Sequence, residues 1–103
     1  MKFQRAVDRS LRPLRLTHTQ YWVLACTHEL VEVSGDAVSQ QRIAEAARLD
    51  KMTVSFVVRR LEAKGLLDRD VSASGPALRV IVTAKGHRAL SEAALLIAPV
   101  AGR

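Results

Sequence analysis

Apolar positions recur at helical spacing over most of the first 65 residues. Side chains three or four positions apart lie on the same face of an α-helix. On this basis we predict helices over residues 3–12, 18–33, 40–48 and 51–64. Pro13 ends or kinks the first of them, because proline lacks a backbone donor and clashes with the preceding turn.

Three of these helices begin at residues whose side chains can accept hydrogen bonds from the free amides of a first turn. Thr17 and Gln20 match a capping box before the second helix. Ser39 and Asp50 are suitable N-cap residues for the next two, and Gly65 stands where a left-handed residue would end the fourth. Two short helices joined by a tight turn, the second of them basic, form a helix-turn-helix.

The pattern becomes β-like after Gly65. The strand candidates are residues 66–69 and 78–82, with a third, very short candidate at residues 37–38. Residues 72–76 are typical of a turn, so the two main strands predict a hairpin, or wing, directly after the helix-turn-helix. Thr83 caps a last helix over residues 84–98. The predicted fold class is therefore mainly α with a small β-hairpin wing, a winged helix-turn-helix with terminal helices.

A chain of 103 residues fits one compact domain. We divide it into an N-terminal dimerisation helix (1–16), a winged helix-turn-helix (17–83) and a C-terminal dimerisation helix (84–103). The two terminal helices carry apolar stripes that one small domain cannot easily cover. We expect these stripes to pair with a second copy and form a homodimer. The predicted dimerisation residues are Val7, Leu11, Leu90, Ala94 and Ile97.

The net charge of +6 is unevenly distributed. Residues 1–16 carry five positive charges against one negative, and residues 39–64 carry six against three. The segment between them, residues 17–38, has three acidic residues and no Lys or Arg. Two basic blocks of this kind indicate a surface that meets a polyanion such as nucleic acid. On charge alone, a solvated basic face without a partner fits as well.

Turning the fourth helix by 100° per residue separates its two faces. The inward positions are Val54, Val57, Val58 and Leu61, and the outward positions are Met52, Ser55, Phe56 and Arg59. A helix-turn-helix places this outer face in the major groove, so we predict that the outward four read bases. Arg59 can pair bidentately with guanine. Alternatively, Phe56 is exposed by chance or packs against a neighbouring chain.

Five other residues are candidates for phosphate contacts. Arg42, Lys51 and Thr53 lie at or near helix starts beside the groove, although each could equally be solvated. For Arg60, a phosphate contact, an internal ion pair and base reading all stay open. Strand alternation directs Arg79 away from the core, behind the tip of the wing, where it reaches phosphate.

Four segments resemble the MarR family of transcription regulators, in order and at the family's spacings. They are LTHTQYWVL at 16–24, IAE at 43–45, TVS to KGLL at 53–67 and VIVTAKG at 80–86. The resemblance covers roughly residues 14–90 and implies a regulator, usually a repressor, that binds double-stranded DNA as a dimer. It also implies that a small aromatic effector binding between the two modules can release the DNA.

The chain departs from the MarR pattern at three places. The wing has Ser74, Gly75 and Pro76 where the family usually has Asp-x-Arg. Phe56 and Arg59 occupy slots that often hold Arg and Asp in the family. The sequence also ends twenty residues after Thr83, so we expect a weaker dimer than is usual. The altered wing supports an alternative function, a winged-helix module for protein–protein contact with weak or lost DNA binding.

The remaining chemistry of the chain is sparse. A lone Cys26 excludes an intramolecular disulfide, although a redox switch through this thiol is a further alternative. His18, His28 and His87 have no partner four residues along and no neighbouring thiol, so we expect no metal. We find no catalytic constellation and expect neither an enzyme nor a cofactor. Without a signal-peptide core or a membrane-length apolar run, the expected location is the cytoplasm.

Overall fold

The structure is a computed structural model that describes the backbone of residues 2–70 and 78–101 and the side chains of residues 5, 6, 8–70 and 78–97. Its helices are α1 (Lys2–Leu11), α2 (His18–Ser34), α3 (Gln40–Ala47), α4 (Lys51–Ala63) and α5 (Ala84–Ala101). A 3-10 turn (Arg12–Leu14) follows α1. The strands are β1 (Val38–Ser39), β2 (Leu67–Arg69) and β3 (Arg79–Val82). The predicted fold class, mainly α with a small β-sheet, is confirmed.

The helix starts lie where the capping residues predicted them. The Thr17 hydroxyl accepts from the Gln20 amide at 3.1 Å, and the Gln20 side chain accepts from the Thr17 amide at 3.2 Å, which completes the capping box. Ser39 caps α3 through the amide of Arg42 at 3.2 Å. Gly65 has a left-handed φ of 75° and follows Lys64, the C-cap residue of α4. These ends form locally, since each bond spans only three residues.

The three strands form one antiparallel sheet in the order β1-β3-β2. Val38 pairs with Val80, and Leu67 pairs with Val82. Val80 and Val82 face the core, whereas Ile81 between them is exposed, as the alternation of a strand requires. The predicted hairpin therefore acquires a third strand from the short segment before α3. The wing turn with Ser74, Gly75 and Pro76 lies outside the described residues.

One hydrophobic core collects side chains from every helix whose side chains are described and from the sheet. Leu11 of α1 is fully buried in it, so the prediction that Leu11 serves an interface between copies is wrong. The physical reason is that α1 packs against α2 and α5 of the same chain. Leu90 and Ile97 are half-buried against this core, and Ala94 is exposed. The side chain of Val7 lies outside the described part of the structure.

A close backbone approach holds the start of α5 against the end of α4. The Thr83 hydroxyl donates to the carbonyl oxygen of Gly65 at 2.6 Å, and the Thr83 amide donates to that of Leu66 at 3.1 Å. Gly86 packs directly on this segment. A Cβ at Gly86 would overlap the Leu66 carbonyl oxygen and lie 2.8 Å from Cγ1 of Val82. Only glycine fits here, because the main obstacle is backbone and cannot rotate away.

None of the helices in residues 2–70 and 78–101 combines the length and the apolar character needed to cross a lipid bilayer.

We predict that Gly86→Ala destabilises the fold by about 1–3 kcal/mol through overpacking. The sign is informative, because Gly→Ala inside a helix ordinarily stabilises by about 1 kcal/mol. Urea unfolding should show a lower midpoint at an unchanged slope. Ser91→Ala, at an exposed position of the same helix, is the control and should be nearly neutral. A Gly86→Ala protein as stable as the parent would contradict the close approach.

Candidate nucleic-acid interface

The turn between α3 and α4 is held by backbone and indole hydrogen bonds. Arg48 ends α3 in the left-handed region with φ of 57°, and its amide returns to the carbonyl oxygens of Ala44 and Glu45. The Trp22 indole nitrogen of α2 donates to the carbonyl oxygen of Ala47 at 3.0 Å. This bond satisfies a terminal carbonyl of α3, which no residue of the helix itself can do. The end of α3 is thereby attached to α2.

One face of α4 is buried and determines how the helix is rotated. Val54, Val58 and Leu61 are fully buried, and Val57 is 6% exposed. All four positions were predicted to face inward. Burying one apolar side chain of this size stabilises the fold by about 1.5–3 kcal/mol. A rotation of α4 that exposed these side chains would therefore be strongly unfavourable. The opposite face is therefore held toward solvent.

The outer face of α4 carries the four predicted base-reading residues. Met52 is 82% exposed and Phe56 is 57% exposed. Arg59 is also exposed, and Ser55 is half-buried. The structure therefore brings together the four side chains that the helical period grouped. Their contact with bases stays a prediction.

The structure shows two side-chain pairs on this face that the sequence patterns above did not predict. Arg59 donates from Nη2 to Oγ of Ser55 at 3.2 Å. The Arg60 guanidinium carbon lies 5.0 Å from the centroid of the Phe56 ring, a cation–π contact. Both pairs are four residues apart, the spacing that makes helix side chains neighbours, and this spacing could have identified them. Among the described residues Arg60 makes this aromatic contact and no ion pair. A phosphate contact and base reading stay predictions for Arg60.

Asp50 is the N-cap of α4, and Lys51 and Thr53 lie in its first turn. The Asp50 carboxylate accepts from the Thr53 amide at 3.0 Å and from the Thr53 hydroxyl at 2.5 Å. These hydrogen bonds lower the pKa of Asp50 below its ordinary value, and the bond from the Thr53 hydroxyl has the larger effect. Lys51 is exposed. The Thr53 hydroxyl already has an acceptor, so a phosphate would have to compete with the Asp50 carboxylate for it.

The other two predicted phosphate residues lie around Ser39. Arg42 is exposed in the first turn of α3, where its amide donates to the Ser39 hydroxyl. Arg79 begins β3 and pairs in register with Ser39 of β1. Its half-buried side chain lies on the face of the sheet opposite Val80, as predicted. Arg42 and Arg79 are therefore placed on neighbouring elements.

Two adjoining pockets of about 300 and 290 Å³ lie beside the end of α4. Leu14, Leu66 and Lys85 line both of them. Lys64, which lines the smaller, donates to Oε1 of Gln20 at 3.0 Å and to the carbonyl oxygen of Arg15. Burial, and then the charges of Arg60 and Arg15, lower the pKa of Lys64. Sequence patterns did not reveal these pockets, because residues from three distant segments line them.

The histidines have closer neighbours than predicted. Nε2 of His28 lies 3.5 Å from Oε1 of Glu32, four residues later, so the expectation that His28 lacks such a partner is wrong. The ring of His87 meets that of His28 edge-on, with centroids 5.0 Å apart. In the described part of the chain, no group of three or more His, Cys, Asp or Glu side chains is placed to hold a metal ion.

Cys26 is half-buried on α2. Burial, and then the charge of Glu29, raise the pKa of its thiol. The thiolate is the reactive form of cysteine, so this environment makes Cys26 less reactive than an ordinary thiol.

The helix-turn-helix of α3 and α4, followed by the sheet strands β2 and β3, defines a winged helix-turn-helix protein. A model of the MarR family matches residues 16–74. The chain belongs to the MarR family, and the resemblance seen in its motifs is confirmed.

Comparison with individual proteins agrees with this membership. The uncharacterized HTH-type transcriptional regulator YdcH of Bacillus subtilis (strain 168) is 36% identical over 67 residues, which is 65% of this chain and 45% of YdcH. The chain thus spans under half the length of this relative. The M. tuberculosis transcriptional regulator MosR in complex with DNA superposes with a TM-score of 0.80 at 27% identity, covering 98% of this chain and 70% of MosR. A MarR-family transcriptional regulator of Rhodococcus sp. RHA1 superposes with a TM-score of 0.83 at 27% identity, covering 99% of this chain and 70% of that regulator.

We predict that acid weakens the Asp50 cap. Its pKa is lower in the folded protein, so its stabilising effect is complete above the unfolded value of about 3.9 and is lost as pH falls through the folded value. Asp50→Asn keeps a good cap without a titrating group. In urea unfolding, the stability difference between parent and variant should be constant above about pH 5 and change in favour of the variant below about pH 4. A difference independent of pH would contradict the assignment.

Proposed function

We propose that the chain is a sequence-specific regulator of transcription that binds double-stranded DNA, and that it represses as a dimer. The observation that carries this proposal is the outer face of α4. The core side of the helix is fully occupied, and the opposite side presents Arg59, Phe56 and Met52 to solvent. A major groove accommodates one α-helix and exposes base edges that side chains can distinguish. The similar fold of MosR, solved with DNA, supports this reading.

The proposal divides the basic side chains into two roles. Arg59 reads guanine from the outer face of α4, where its bond to Ser55 limits its rotamers before binding. Arg42, Lys51, Arg60 and Arg79, with Thr53, contact phosphates around the groove. Phosphate contacts position a protein on DNA, and base contacts specify the sequence.

The proposed activity is binding, not catalysis. The relatives above are transcription regulators, and regulation by binding DNA requires no catalytic group. A protein that acts on a bacterial chromosome works in the cytoplasm, which is the location we propose.

We place the effector site in the two pockets beside the end of α4. Leu14 and Leu66 supply apolar walls. Lys64, Lys85 and Arg88 supply positive charge, which exceeds the one negative charge of Glu92 in the larger pocket. This lining suits a small aromatic acid. Lys64 donates to the backbone carbonyl of Arg15, and Lys85 donates to that of Lys64. An acid that drew both lysines away would loosen the attachment of the end of α4 to the segment before α2 and to α5.

The DNA proposal is tested by selecting bound sites from a random pool and measuring affinity for the selected and a random duplex. We expect affinity to fall steeply between about 50 and 200 mM salt, because phosphate neutralisation releases counterions. Arg59→Ala should lose about 1–3 kcal/mol on the selected site and relax one base position. Arg79→Ala is the matched cation variant and should weaken both duplexes by a smaller and similar amount.

The ratio of selected to random affinity decides between the two arginines. If Arg79→Ala lowers this ratio and Arg59→Ala does not, the sheet reads sequence and the assignment to α4 is wrong. If no duplex binds at either salt concentration, the protein–protein module becomes the better reading.

The dimer proposal rests on exposed apolar side chains of α5, where Leu95 is 76% exposed next to Ala94. A two-fold dimer would place its two α4 helices about 34 Å apart, one turn of DNA. Leu95→Glu should shift the protein toward monomer in sedimentation at tens of micromolar. Ala84→Glu puts the same charge on the same helix about 16 Å away and should leave assembly unchanged. A parent protein that sediments only as a monomer would rule out this dimer.

A further inference from the structure

The outer face of α4 carries two large apolar side chains that the fold leaves uncovered. Met52 is the most exposed large hydrophobic residue of the described chain at 82%, and Phe56 is 57% exposed. They are four residues apart, so their side chains are neighbours on the helix. Neither contributes to the core, and both leave apolar surface in water. We call them the apolar pair.

Arginines stand on both sides of the apolar pair. At 100° per residue, Arg59 lies to one side of Met52 and Arg60 lies beyond Phe56 on the other. Arg59 is held by Ser55, and Arg60 stacks on the Phe56 ring at 5.0 Å. The exposed Lys51 lies on the same helix. The surface is therefore an apolar strip bordered by positive charge.

This combination favours DNA over a neutral protein surface as the occupant. A neutral protein partner would bury the guanidinium groups of Arg59 and Arg60 without counter-charge, and burying unpaired charge is strongly unfavourable. The DNA major groove supplies phosphates along its edges and guanine acceptors within it. The apolar group that it offers is the C5-methyl of thymine.

We propose that Met52 and Phe56 recognise thymine through its C5-methyl group, next to the guanine read by Arg59. This inference rests on the proposed function. It assigns a part of the sequence preference to apolar contact. The cation–π contact of Arg60 contributes by holding the Phe56 ring in one orientation before DNA arrives.

The test replaces single thymines of the selected site by deoxyuridine, which removes the methyl group and keeps every hydrogen-bonding atom. We expect one or two positions per half-site at which affinity falls about three- to fivefold, the loss for one buried methyl. Thymines elsewhere in the site should tolerate the change. In Phe56→Ala and in Met52→Ala, the ratio of the affinity for the thymine duplex to that for the uracil duplex (the thymine-to-uracil ratio) should approach one at those positions.

Arg42→Ala is the control variant, since it removes a candidate phosphate contact on another helix. It should bind all duplexes more weakly and keep the thymine-to-uracil ratio of the parent. Circular dichroism should show an unchanged fold for Phe56→Ala and Met52→Ala, because both positions are exposed.

Each failure has a separate meaning. If the parent binds a selected site but tolerates uracil everywhere, the inference is overturned and the proposed function stands. The same conclusion follows if Phe56→Ala and Met52→Ala keep the uracil effect in full. If the parent binds no duplex, the proposed function itself fails.

Discussion

The buried face of α4 is the constraint on which the remaining structure depends. Val54, Val58 and Leu61 are fully enclosed by side chains from α2, α3 and the sheet. Because burial decides the rotation of the helix, it also decides that Met52, Phe56 and Arg59 point outward. Rotating α4 about its axis by 100°, the angle of one residue, would bury charged side chains and expose apolar side chains of the core. The chemistry of the outer face is thus a consequence of packing on the inner one.

The segment after α4 transmits this rigidity to the sheet and to α5. Gly65 turns the chain, and Leu66 enters the core. The Thr83 hydroxyl donates to the carbonyl oxygen of Gly65, and Gly86 packs against the carbonyl oxygen of Leu66. Lys85 adds a bond to the carbonyl oxygen of Lys64 at 2.8 Å. α4, β2, β3 and α5 therefore meet within a few residues. A change at this junction would reach all four elements.

Three basic side chains of α4 and β2 are held by neighbours. Arg59 bonds to Ser55, Arg60 stacks on Phe56, and Arg69 pairs with Glu62 at 2.9 Å. Holding long side chains in place before binding reduces the entropy lost when a partner arrives. Net charge attracts a polyanion from a distance, whereas these local contacts determine where the individual guanidinium groups lie.

The sequence by itself determined the features whose physics is local. Caps at Thr17, Ser39 and Asp50 act over three residues, and the two faces of α4 follow from the helical period; the helix starts and all four inward positions were predicted correctly. Tertiary structure alone decided that Leu11 is buried within one chain, that Val38 joins the sheet beside Val80, and that His28 meets His87. These contacts join residues far apart in the chain. They depend on how the elements pack, which no short sequence pattern encodes.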